Sequence, residues 1–156
     1  MDLKDFAGIL PADAVNSGAA AVTGVTSDSR EVGQGTLFVA VPGTKFDGAT
    51  FAADAERRGA AAVIAAPGAV KAPLTIPLIE VEDPRRVLAL CAARVFPRQP
   101  DVMVAVTGTS GKTSVASFVR QVWEHQGLAA ASIGTTGVVA PGRDEYGSLT
   151  TPDPVA

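Results

Sequence analysis

The chain has 156 residues, of which 47% are hydrophobic and 19% charged, enough for one medium domain or two small ones and too apolar for a disordered chain. Thirteen Lys plus Arg against sixteen Asp plus Glu leave a net charge of −3 with no basic block, which argues against nucleic acid as a partner. The single cysteine, Cys91, lies in an apolar run and reads as core, excluding an internal disulfide and a cysteine-cluster metal site.

The first residues carry Asp2 and Asp5 and no apolar segment follows them, which does not fit a secretory leader. Apolar stretches are broken by Gly and Pro well short of a membrane span, so a cytoplasmic protein without membrane insertion is expected. A strand around residues 22–25 leads into the polar cluster Thr26, Ser27, Asp28, Ser29 and Arg30. The apolar run 37–41 stops at Pro42 and Gly43 and reads as a buried strand. A second polar loop, 44–48, precedes a helix over 51–58 with Arg57 and Arg58 in its last turn and Gly59 just past its end. Residues 62–65 and 78–81 are further strands. Asp83 followed by Pro84 is an N-cap and first-turn proline, opening a helix to about Val95. Strands alternating with helices indicate an α/β fold. Pro97 and Pro100 mark a boundary, which divides the chain into segments 1–97 and 98–156.

In the second segment, the β-rich run 102–106 feeds a loop containing Gly108 and Gly111, and Lys112 and Thr113 then open a helix. Val115, Phe118, Val119, Val122 and Trp123 recur on one helical face, and Gly127 closes it. This is the context of a phosphate-binding loop. Glycines let successive N–H groups converge on an anion, and the helix N-terminus adds open donors and about half a positive charge. Lys112 supplies a mobile cation, and the Thr113 hydroxyl is suited to ligating Mg²⁺. The spacing is shorter than the general pattern, because position 106 is Val and the glycine comes at 108; that narrows the field away from GTPases and nucleoside kinases. After a strand at 132–134 the remainder reads as loop. Strand, helix and strand cannot cover both faces of a parallel sheet, so the second domain is expected to be incomplete. His125 reads as a helix-end residue, Asp144 and Glu145 as a solvated loop tip, and Arg57, Arg58, Arg85 and Arg86 as solvated helix faces.

The loop 107–113 resembles the ATP loop of the Mur ligases and the related folylpolyglutamate synthases. Three further stretches match in order: 26–30, then 35–40 with 43–48, then 148–154. The first two resemble the amino-terminal UDP-binding domain of the Mur ligases that add the third residue or the terminal dipeptide, and the last favours the third-residue branch. The resemblance covers essentially the whole chain. It implies a small UDP-binding α/β domain over 1–97 followed by the start of a P-loop-type, parallel-sheet ATP-binding domain over 98–156, an amino-terminal fragment inactive alone. By position, Ser27, Ser29, Thr44, Lys45 and Phe46 would contact the UDP end of the substrate. Leu149, Thr150 and Thr151 would contact its muramoyl dipeptide. Gly108, Thr109, Ser110, Gly111, Lys112, Thr113 and Ser114 would cradle ATP, with Lys112 catalytic and Thr113 on Mg²⁺.

The implied reaction is ATP-driven addition of meso-diaminopimelate or L-lysine to UDP-N-acetylmuramoyl-L-alanyl-D-glutamate through an acyl phosphate, in a protein monomeric at full length. A carbamylated lysine is also implied, and none of Lys4, Lys45, Lys71 and Lys112 stands in its position. From the residues alone other readings stay open: Ser27–Ser29 as a turn cluster, 44–48 as a solvated loop, and 150–152 as an extended pre-proline segment. A stand-alone UDP-sugar-binding module, another P-loop NTPase, or the family member adding D-alanyl-D-alanine are the competing functions. The NTPase reading lacks an acidic residue after the strand at 132–134.

Overall fold

The computed structural model describes residues 1–16, 21–43, 47–145 and 154–155. Contacts divide the chain into two compact units, residues 1–99 with Val155 and residues 100–154 with Ala156.

The first unit begins with a 3-10 turn, Leu3–Phe6. The Asp2 carboxylate accepts from the Lys4 N–H at 2.8 Å, and the Asp2 N–H donates to the Asp5 carboxylate at 2.8 Å, so two orphan donors are satisfied reciprocally. The turn is thereby fixed with Leu3 and Phe6 fully buried. The helix α1 (Ala12–Asn16) follows, then strand β1 (Gly24–Thr26), strand β2 (Thr36–Ala40), helix α2 (Ala52–Arg57), strand β3 (Ala62–Ala65), strand β4 (Leu78–Glu80) and helix α3 (Pro84–Val95). The four strands form one parallel sheet in the order β1-β2-β3-β4, with Val25 opposite Leu37, Phe38 opposite Val63 and Ile64 opposite Ile79.

Strand periodicity sorts the core into two layers. Leu37, Val39, Ala62 and Ile64 point to one face, where they join Leu3, Phe6, Val87, Leu88 and Cys91. Phe38, Ala40, Val63 and Ala65 point to the other, against Ala49, Ala52 and Ala55. Both faces are therefore covered, as a parallel sheet requires, and the unbroken apolar runs of β2 and β3 follow from that. The second layer is mostly alanine, which lets α2 lie close to the sheet. The α2 helix is shorter than expected, because residues 48–51 form a 3-10 turn capped by the Asp47 carboxylate, which accepts from the Ala49 N–H at 3.0 Å. Asp83 caps α3 as its sequence indicates, accepting from the Arg86 N–H at 3.0 Å with Pro84 in the first turn.

In the second unit, residues 102–106 carry no ladder pairing, although their composition predicts a strand. A strand is defined by a neighbour's hydrogen bonds, and among the described residues none is supplied. The loop 108–111 leads into helix α4 (Lys112–His125). Beyond it, strands β5 (Ser132–Gly134), β6 (Gly137–Ala140) and β7 (Arg143–Glu145) form an antiparallel meander. Residues 137–140 and 143–145 are thus strand where loop is expected, and Asp144 and Glu145 lie on an edge strand, with the Arg143 guanidinium donating to Glu145 at 2.7 Å. The apolar face of α4 is only partly covered among the described residues: Val119 and Trp123 are half-buried, but Val115, Phe118 and Val122 are 47%, 63% and 55% exposed. No helix among the described residues is long and apolar enough to cross a membrane.

Candidate functional site

The loop of the second unit has the backbone its sequence calls for. Gly108 has φ 150° and Gly111 φ 76°, both in the region that favours glycine. Gly111 is the N-cap of α4, and being glycine it brings no side chain to the first-turn N–H groups. No acidic residue sits in that first turn. The donors at the head of a fourteen-residue helix therefore face the loop without a competing carboxylate. The Lys112 ammonium donates to the Gly108 carbonyl, so the cation lies across the loop rather than in the interior. Lys112, Thr113 and Ser114 are exposed, as are Thr109 and Ser110. The Thr113 hydroxyl oxygen lies 3.0 Å from that of Thr135, in the turn between β5 and β6. Open amide donors, an exposed ammonium held only by a neutral carbonyl, and accessible hydroxyls form a donor set matched to a polyphosphate with its magnesium ion.

Ser27 and Ser29 lie at the carboxyl end of the sheet, where ligands of open α/β folds bind. Ser27 and Ser29 directly follow β1. Ser27 is half-buried and Ser29 buried, at the start of a 3-10 turn, Ser29–Glu31. Asp28 between them is engaged structurally. Its carboxylate accepts from the Arg30 N–H at 2.9 Å and from the Arg30 guanidinium, which holds it below the usual carboxylate range. Thr26, buried, donates to Glu31 at 3.2 Å and accepts from the Asp28 N–H at 3.1 Å, fixing the exit of β1.

The second candidate loop leaves the adjacent strand, β2, at the same edge. Its base is closed by bridge pairing of Pro42 with Asp47 and by the Gly48 N–H donating to the Val41 carbonyl at 3.2 Å. Thr44, Lys45 and Phe46 within it, and Leu149, Thr150 and Thr151 near the chain end, lie outside the described residues. Arg85, expected on a solvated face, donates to the Pro42 carbonyl at 3.2 Å and braces this loop from the start of α3. Neither Arg85 nor Thr135 carries a sequence signal for these contacts, which join residues 43 and 22 positions apart. Among the described residues no group of three His, Cys, Asp or Glu side chains is placed to hold a metal.

A parallel α/β unit followed by a strand-like segment, a glycine loop and a Lys-Thr helix start defines a class of phosphate-binding α/β proteins. The model for the "Mur ligase family, catalytic domain" matches residues 21–96 and that for the "Mur ligase middle domain" matches residues 106–156. A UDP-N-acetylmuramoyl-L-alanyl-D-glutamate–2,6-diaminopimelate ligase of Mesorhizobium japonicum is 64% identical over all of this chain, which covers 32% of that protein. The ligase of the same name from Chelativorans sp. is 62% identical, again over the whole chain and 32% of its own length. The chain thus spans about a third of the length of these curated relatives. A solved structure of a ligase with that name superposes with a TM-score of 0.71 at 24% identity, over 99% of this chain and 31% of its own. The MurF ligase from Thermotoga maritima, solved in complex with ADP, gives a TM-score of 0.53 at 32% identity, over 69% of this chain and 24% of its own. The chain belongs to the Mur ligase family.

Proposed function

We propose that these 156 residues are the substrate-binding and phosphate-binding portion of an ATP-dependent ligase that adds 2,6-diaminopimelate to UDP-N-acetylmuramoyl-L-alanyl-D-glutamate in peptidoglycan synthesis. The observation that carries this reading is 64% identity along the whole chain to a ligase so named. It outweighs the D-alanyl-D-alanine-adding alternative, since the MurF structure is 32% identical over 69% of the chain. Residues 1–97 bind the UDP-linked substrate through Ser27, Ser29 and the loop 44–46, and residues 98–156 begin the ATP domain. A cytoplasmic location goes with this reading, because ATP and UDP-linked precursors are cytoplasmic metabolites.

When bound, ATP with Mg²⁺ supplies the phosphoryl group that activates the D-glutamyl carboxylate for amide formation. Gly108–Ser114 hold the phosphates: backbone N–H groups at the head of α4 donate to their oxygens, with no side-chain cap to displace. Lys112 exchanges its bond to the Gly108 carbonyl for a charge-assisted one to a phosphoryl oxygen, where negative charge is concentrated during transfer. The Thr113 hydroxyl offers a lone pair to the metal. Leu149, Thr150 and Thr151 contact the muramoyl dipeptide, a role carried from the family resemblance.

Two measurements test this. Calorimetry on the chain should detect binding of UDP-N-acetylmuramoyl-L-alanyl-D-glutamate and, separately, of ADP with Mg²⁺. A chimera in which this chain replaces the matching first third of the Mesorhizobium ligase should form the tripeptide product with 2,6-diaminopimelate and release ADP. A folded chimera that forms no tripeptide product under conditions in which the intact Mesorhizobium ligase does refutes the assignment.

A further inference from the structure

We propose that Thr135 is a positioning residue that orients the Thr113 hydroxyl toward the Mg²⁺ ion accompanying the nucleotide; this rests on the reading of the 108–114 loop given above. Thr113 sits in the first turn of α4, and Thr135 in the two-residue turn that joins β5 to β6, 22 residues on, with their hydroxyl oxygens 3.0 Å apart. A hydroxyl has one proton and two lone pairs. For Thr113 to aim a lone pair at a cation, its O–H must point away and find an acceptor on the far side. The Thr135 oxygen, 3.0 Å away, is within reach to be that acceptor. If the proton instead ran from Thr135 to Thr113, one lone pair would still be left for the cation but the Thr113 proton would lose this acceptor, so a bound cation favours donation from Thr113 to Thr135.

The support is a paired hairpin. Gly134 pairs with Gly137 across the turn, and Gly137 takes φ 95°, closing a tight hairpin behind Thr135. Both threonines are exposed, so the contact fills no core space. A packing role does not account for it. Groups that hold a metal ligand from behind commonly matter about tenfold or more in metal affinity.

The test titrates Mg²⁺ into the chain with a fluorescent ADP analogue and compares wild type, Thr135→Val and Thr135→Ser. Valine is nearly isosteric and removes the acceptor, whereas serine retains it. The metal concentration giving half of the Mg²⁺-dependent gain in nucleotide affinity should rise about tenfold or more in Thr135→Val and return to within about twofold in Thr135→Ser. Nucleotide affinity without Mg²⁺ should be the same in all three. Equal Mg²⁺ midpoints in wild type and Thr135→Val overturn the proposal, as does a loss in Thr135→Val that is already present without metal. Wild-type binding that gains nothing from Mg²⁺ overturns it too. A wild-type chain that binds no nucleotide at all removes the reading of the loop, and this inference with it.

Discussion

Lys112 closes the loop that it serves: its ammonium donates to the carbonyl of Gly108, four residues earlier, and stays exposed while doing so. The bond parks a cation at the loop at little cost, since a neutral carbonyl is readily exchanged for a phosphate oxygen. Lys112→Ala should therefore lower affinity for ADP with Mg²⁺ by at least about tenfold, the scale of one charge-assisted bond. The circular dichroism spectrum should stay unchanged, because the side chain touches no core. Undiminished nucleotide binding in this variant would show that the loop does not use its lysine.

Gly48 is a tight point at the base of the second candidate loop. A Cβ there would lie 2.8 Å from both the nitrogen and the oxygen of Val41, and those are backbone atoms that cannot step aside. Gly48→Ala should destabilise the first unit by about 1–3 kcal/mol, as overpacking does, read as a lower urea midpoint. It should also weaken UDP-substrate binding by more than the unfolded fraction explains, since the 42–47 loop is anchored at this contact. Wild-type stability in Gly48→Ala would mean that the base of the loop yields freely.

What could be read ahead of the fold was local. The runs 37–41 and 62–65 announce buried strands because a parallel sheet covered on both sides needs apolar residues on every position. Asp83 with Pro84 announces a helix start, and the spacing of Gly108, Gly111, Lys112 and Thr113 announces a glycine loop opening a helix. What could not be read was set by partners. Residues 102–106 have the composition of a strand but pair with no neighbour among the described residues, and strands of three and four residues punctuated by Gly137 and Gly142 look like loop. The Thr113–Thr135 and Arg85–Pro42 contacts depend on how elements come together, which no spacing along the chain encodes.

Cys91 is fully buried among Leu88, Val87 and Ala92, and burial pushes its thiol up to about 11. The thiolate is the reactive form. Folded protein at neutral pH should therefore resist a thiol-specific disulfide reagent, with labelling appearing only along the urea unfolding transition. Rapid stoichiometric labelling under native conditions would contradict the placement of α3 on the sheet.

Glu56 ties α2 to the connection between β3 and β4. One carboxylate oxygen accepts from the Thr75 hydroxyl at 2.7 Å, the Thr75 N–H at 2.6 Å and the Ile76 N–H at 3.2 Å. These bonds, the Thr75 hydroxyl foremost, hold the carboxyl below its ordinary value of 4.5. A group whose folded value is depressed binds its proton more readily in the unfolded chain. Its stabilisation is therefore present above pH 4.5 and is lost as pH falls through the lower, folded value. Other carboxylates titrate in the same range, so the measurement is a difference. The gap in unfolding free energy between wild type and Glu56→Gln should be constant at neutral pH and shrink as acid is added below pH 4.5. A gap that does not change between neutral and acid conditions would mean that the charge of Glu56 contributes nothing to holding residues 75 and 76.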